Sequence, residues 1–265
     1  MNYGSINNIW MLTKKNITLY IKKGPVLIFG LMFPFFIIIS WILGRNISLD
    51  QIFIGIVAMT SFFTATAVSP VILPIETREK SLERILSAPI SLNEILLGII
   101  IASTLYSVVI TSLIAIVFIA LFPVLLSSLF SIFLMLLGIF LMGILGSLIG
   151  LLLSAIPTDQ LPNIMVLMNL IKFPLLFIGG IFIPLKEIPS SVTFVYFISP
   201  LTFLTELLRG SVNQTNIISS EICVLILCIW IIVLFTLNYI LHRKTMPKRF
   251  SETDGGPKMM MMKKQ

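Results

Sequence analysis

LLSSLFSIFLMLLGIFLMGILGSLIGLLLSAI, residues 125–156, contains no charged side chain and decides the fold class. It is longer than the roughly 20 apolar residues a helix needs to cross about 30 Å of hydrocarbon. In lipid the backbone must satisfy its own hydrogen bonds, and the run lacks the alternation of a barrel strand, so it reads as a helix. Gly143, Gly146, Ser147, Gly150 and Ser154 place small side chains on shared faces of that helix, which lets a neighbour approach closely.

Further apolar runs cover residues 25–44, 51–75, 95–122, 161–184 and 222–241. The expectation is an all-α membrane protein with six transmembrane helices. Composition agrees: 57% of the 265 residues are hydrophobic and 11% are charged, against roughly 25% charged in soluble domains. Such a chain cannot cover a water-facing surface, which excludes a soluble enzyme. The first 25 residues lack the layout of a cleavable signal, so the first run is expected to persist as a span, kinked at Pro34. Cys223 and Cys228 lie in the last run without metal-ligand or redox spacing.

Lysine and arginine set the orientation. With both termini cytoplasmic, the inner pieces hold Lys14, Lys15, Lys22, Lys23, Arg78, Lys80, Arg84, Arg243, Lys244, Lys248, Arg249, Lys258, Lys263 and Lys264. The outer pieces hold only Arg45, Lys186 and Arg209, a strong positive-inside asymmetry. The net charge of +7 is thereby explained by topology and requires no nucleic-acid partner. Residues 1–24 form an expected interfacial helix: Ile6, Ile9, Trp10, Thr13, Ile17, Tyr20 and Ile21 share a face for the acyl boundary, with Lys14, Lys15, Lys22 and Lys23 toward headgroups. Residues 25–245 form the membrane domain, and 246–265 read as a disordered basic tail able to touch anionic lipid.

No phosphate-binding G-x-x-x-x-G-K-[ST] loop occurs, and His242, the only histidine, falls among basic residues past the last run. Glu206 and Glu221 are expected in water near span ends. The densest charge lies between the second and third runs, where residues 77–88 predict a three-turn amphipathic helix ended by Pro89. There Glu79, Lys80, Glu83 and Arg84 surround a stripe of Leu82, Ile85 and Leu86, with Glu76 and Arg78 just before. A plain interfacial connector fits this pattern, and so does a docking helix for a soluble partner. Lys172 stands apart, midway along the fifth run, where an ammonium calls for a partner or a wet cavity. It is a candidate for the substrate path. An ATP-independent secondary transporter or a channel fits less well, because the spans hold essentially one charge and no internal repeat. A membrane enzyme would need clustered His, Asp, Glu or Cys at one level.

The loop ETREKSLERILSAPIS resembles the E-x-E-x-x-x-G-T-L-E-x-L-x-x-x-P-[IV] segment of ABC-2 type transporter permeases, with Glu79, Leu82, Glu83, Leu86, Pro89 and Ile90 in common. Lys80 and Ser81 stand near the family's glycine-threonine pair. FIGGIFIPLKEIPSS at 177–191 and SPLTFLTELLRG at 199–210 resemble two further family segments, the latter through Pro200, Leu201, Thr202, Arg209 and Gly210. The resemblance implies a permease of the drug- and antibiotic-export branch, dimeric with an identical or related chain. It implies soluble ATPase subunits, carrying ATP and magnesium, bound at Glu76, Arg78, Glu79, Lys80, Leu82, Glu83, Arg84, Ile85 and Leu86, and no cofactor on this chain. It further implies a segment over 187–213 that dips partly back into the membrane from outside, and export of a lipidic or amphipathic substrate.

Overall fold

The structure is a computed structural model that describes residues 3–20, 24, 28–124, 128–158, 160–189, 191 and 193–251. Ile21, Lys22, Lys23, Pro25 and the tail from 252 onward, which figure in the sequence reading, lie outside the described residues. All regular structure among the described residues is helical: α1 Tyr3–Tyr20, α2 Phe33–Ile42, α3 Leu49–Arg78, α4 Ser81–Ser87, α5 Leu92–Leu121, α6 Leu129–Ser154, α7 Leu161–Phe177, α8 Thr193–Tyr196, α9 Pro200–Val212 and α10 Ser220–Ser251. Four of these, α3, α5, α6 and α10, are long and apolar enough to cross a membrane, while α2 and α7 are apolar but shorter. Among the described residues the expected first span is a continuous helical stretch over 28–42, of mixed π and α turns. A π-helical turn, Ile28–Met32, leads into α2, where Pro34 occupies the first turn and removes a backbone donor. A widened turn absorbs that loss.

Helix starts are set by local chemistry. Ser48 Oγ accepts the Gln51 N–H at 3.3 Å before α3, and Ser128 Oγ accepts the Ser131 N–H at 3.2 Å before α6. Each occupies an N-cap and satisfies a donor the helix cannot. α3 forms the centre of the bundle, buried almost from end to end and continuous through Pro70 and Pro74. It packs on α5, α6, α7 and α9. The small face of α6 lies against it: a Cβ added at Gly146 would stand 2.7 Å from that of Ala65, so glycine is what permits this approach. Hydroxyls inside the bundle turn to backbone carbonyls, as in Thr66 to Phe62 O at 2.6 Å and Ser107 of α5 to Ser61 O of α3 at 2.8 Å. The outward faces carry Leu113, Ile116, Phe130, Phe133, Leu225 and Ile232, all exposed, as a lipid-facing surface requires.

The C-terminal ends of α3, α6 and α10 share one end of the bundle. Gly150 of α6 lies against Pro70 of α3, and Ser154 Oγ is 3.3 Å from His242 Nε2 of α10. His242 is fully buried, its Nδ1 2.9 Å from Asn238 O, and so sits within the last helix rather than past it. α10 also continues through Ser251, so a helix occupies 246–251 where a tail is expected from sequence.

α1 departs from its expected face. Ile9, Leu12, Thr13 and Asn16 are buried on α5, whereas Ile6 and Trp10 are exposed. The helix is apolar on two sides, and protein takes one of them.

Candidate functional site

At the end of the bundle shared by α3, α6 and α10, the chain leaves α3 and returns through α5 by way of α4. The expected three-turn helix is divided: its first turn belongs to α3, which stops where Lys80 adopts φ 55, the left-handed region. A non-glycine residue there costs roughly 1–2 kcal/mol. α4 is then the short helix Ser81–Ser87, with Ser87 Oγ bonded to Arg84 O at 2.9 Å. The start of α5 is a complete capping box: Ser91 N–H donates to Glu94 Oε2 at 2.7 Å and Glu94 N–H to Ser91 Oγ at 3.4 Å.

Four of the sequence-predicted site residues pack toward the bundle. Leu82 is 1% exposed and packs inward with the core, so it anchors α4 to the bundle rather than offering itself to a partner. Ile85 and Leu86 are half-buried and pack on the same core. Glu76 is equally buried and forms an ion pair with Lys15 of α1. Lys15, expected toward headgroups, thus meets a carboxylate of α3. Asn8 Nδ2 donates to Glu94 Oε1 at 3.5 Å, and Thr13 Oγ1 lies 3.5 Å from Gly98 O, so α1 is tied to both α3 and α5. The result is one platform built from α1, α4 and the adjoining ends of α3 and α5. It presents Arg78, Glu79, Lys80, Glu83 and Arg84, all exposed.

Lys172 is not part of this platform. It lies on α7 at 1% exposure, with Nζ 4.9 Å from the centre of the Phe63 ring of α3. Phe63 stands about 22 Å along the α3 axis from Arg78, at roughly 1.5 Å per residue. Among the described residues no carboxylate or carbonyl pairs with Lys172. An ammonium at a helix centre costs roughly 2.5–3.5 kcal/mol to insert, and one aromatic face offsets about 0.5–2 kcal/mol.

A second buried polar set escaped the sequence reading. The polar face of α9 closes the end of α7: Ser199 Oγ donates to Leu175 O at 2.9 Å, Thr202 Oγ1 to Ile178 O at 3.0 Å and Thr205 Oγ1 to Gly179 O at 2.9 Å. Arg209 completes the series with Nη2 to Gly180 O at 2.6 Å, and Gly180 has φ +68, a conformation that favours glycine. Glu206 is 1% exposed rather than in water: Oε1 accepts Arg209 Nη1 at 3.0 Å and Oε2 accepts the Ile217 N–H at 2.7 Å. Their i, i+3 spacing was the available signal. These side chains satisfy carbonyls that the α7 terminus leaves open, which holds α9 inside the protein. No group of His, Cys, Asp and Glu able to hold a metal occurs among the described residues.

Long apolar helices packed around a buried α3, with lipid-facing outer surfaces, define a multi-pass membrane protein. A family model described as ABC-2 type transporter matches residues 7–213, and the chain belongs to that family. It is accordingly a permease component of an ABC transporter. The match takes in α1, the α4 platform and α9. No curated protein matches the chain.

Proposed function

We propose that this chain is the transmembrane subunit of an ATP-driven exporter that moves a lipidic or amphipathic substrate out of the cytoplasm or the inner leaflet. Soluble ATPase subunits, which carry ATP and magnesium, dock on the α4 platform, and two permease chains, identical or related, form the membrane unit. The observation that carries this reading is the platform itself. A short helix joins two long membrane helices, is anchored by buried Leu82 and presents exposed charges of both signs. Such an element transmits a push from a soluble partner to α3 and α5 without absorbing it. Co-expression with P-loop ATPase subunits is expected to yield a complex whose ATP hydrolysis rises with an amphiphilic substrate. A chain that purifies alone and moves solute with an ion gradient would favour a secondary transporter.

Both termini and the platform are cytoplasmic in this reading. The support is charge: Lys14, Lys15, Arg78, Lys80, Arg84, Arg243 and Lys244 gather at the platform end, against Arg45, Lys186 and Arg209 at the other. In a cysteine-free background, an impermeant thiol reagent added to intact cells should modify a cysteine introduced at Lys186 and spare one at Lys80. The opposite labelling pattern would invert the topology.

A further inference from the structure

The pattern Asn-x-Ser/Thr occurs three times in the chain, at Asn16-Ile17-Thr18, Asn46-Ile47-Ser48 and Asn213-Gln214-Thr215. It is the acceptor pattern for N-linked glycan, usable only where the asparagine stands on the outer side of a membrane and can be reached. The structure separates the three. Asn16 lies within α1 at the platform end and is buried, and Thr18 Oγ1 donates to Lys14 O at 2.9 Å. Asn46 is exposed, yet it sits in the short connection over 43–48 that joins α2 to α3, where Ser48 Oγ is engaged as the N-cap of α3. Among the described residues no hydrogen bond joins Asn46 to Ser48.

Asn213-Gln214-Thr215 differs from both. α9 ends at Val212, the Asn213 N–H still donates to Arg209 O at 3.1 Å, and Gln214 then breaks the helix with φ 53, in the left-handed region. Thr215 closes back on the asparagine: its N–H lies 3.3 Å and its hydroxyl 2.6 Å from Asn213 Oδ1. All three residues are exposed, while the chain just beyond is tied down by Ile217 N–H to Glu206 Oε2 and Asn216 Nδ2 to Ile218 O, each at 2.7 Å. Asn213 Nδ2 has no partner among the described residues. An amide nitrogen is a poor nucleophile because its lone pair is delocalised onto the carbonyl oxygen. Two donors on Oδ1 stabilise the negative charge that gathers there as Nδ2 gives up a proton, and so favour attack by the nitrogen.

We propose that Asn213 is an acceptor for an N-linked glycan, delivered from a polyprenyl diphosphate donor by a membrane oligosaccharyltransferase. Nδ2 attacks the anomeric carbon of the donor sugar. The C–N bond forms, the C–O bond to the diphosphate breaks, the polyprenyl diphosphate leaves with the electron pair, and the Nδ2 proton passes to a base of the transferase. A glycan here is bulky and polar and keeps the loop over 213–219 on the aqueous side. The site rests on the orientation proposed above, in which this loop and Lys186 face outward.

The test expresses the full chain in a eukaryotic host, whose endoplasmic reticulum supplies a dolichyl diphosphate oligosaccharide and the transferase. A single decrease in gel mobility, reversed by peptide-N-glycosidase, is expected, and peptide mass spectrometry should place the glycan at Asn213. Asn213→Gln and Thr215→Ala should each abolish the shift, whereas Asn16→Gln and Asn46→Gln should leave it. Asn213 and Thr215 are exposed, so neither change removes a packed side chain. Thr215→Ser keeps the hydroxyl and should keep the shift, which separates loss of the acceptor pattern from misfolding. An unmodified parent chain would overturn the site, and so would a shift that follows Asn46 rather than Asn213. Orientation is read separately by the thiol labelling described above. If a cysteine at Lys186 labels from outside and the chain stays unmodified, the site alone fails; if a cysteine at Lys80 labels instead, the orientation fails with it.

Discussion

Arg209→Met is expected to destabilise the protein by about 3–5 kcal/mol, the range for removing one member of a buried ion pair. The substitution leaves Glu206, 1% exposed, without its guanidinium and opens the Gly180 carbonyl that Arg209 Nη2 covers. Nearly all the loss should come from the stranded carboxylate, so the double variant Arg209→Met with Glu206→Gln should recover a large part of it. Cys223 provides a local readout: it is fully buried, with Sγ 3.9 Å from Ile218 O, close to where Glu206 holds the Ile217 N–H. With Cys228→Ser, reaction of Cys223 with a thiol-specific fluorogenic dye on heating reports opening of this segment. The single variant should react at a markedly lower temperature than the double variant. Equal behaviour would mean that the pair is not what holds residues 199–217 in place.

The sequence located the helices well where lipid thickness and caps set their extent. Ser48, Ser128 and the Ser91–Glu94 box stand at the starts of long helices that the apolar runs had already marked. It failed where a choice between two apolar environments had to be made. Ile6 and Trp10 of α1 looked equivalent to Ile9 and Thr13, yet only the latter pair is buried on α5. Periodicity cannot separate protein from lipid, because a hydrocarbon chain is as apolar as leucine. Glu206 was misread for a related reason. Its burial depends on Arg209 and on the Ile217 N–H, which the packing of α9 brings to it, as the burial of Glu76 depends on Lys15 of α1. The division of 77–88 between α3 and α4 was not read from the sequence, which suggested one continuous helix. Lys80 adopts a positive φ, a conformation glycine takes freely and a lysine rarely signals.

Reversing both Glu83 and Arg84 should separate the platform's fold from its docking function. Both side chains are exposed on α4, and neither makes an ion pair with any described residue, so the double reversal should leave the helix and its Leu82 anchor in place. If α4 seats in a soluble ATPase, the same change sets like charges against each other at two adjacent positions. Such juxtaposition costs several kcal/mol, or on the order of a hundredfold in affinity. The expected result is a permease of parental stability that no longer retains its ATPase, or retains it without coupling hydrolysis to export. Leu82→Ala is the opposite case: its side chain is packed in the core, so truncation should lower stability by about 2–5 kcal/mol and weaken docking only through loss of the fold. A doubly reversed protein with full binding and transport would reduce α4 to a connector at the membrane surface. The contrast between the two substitutions is informative because Leu82 and Glu83 are neighbours in sequence, yet one faces the bundle and the other faces whatever meets the platform.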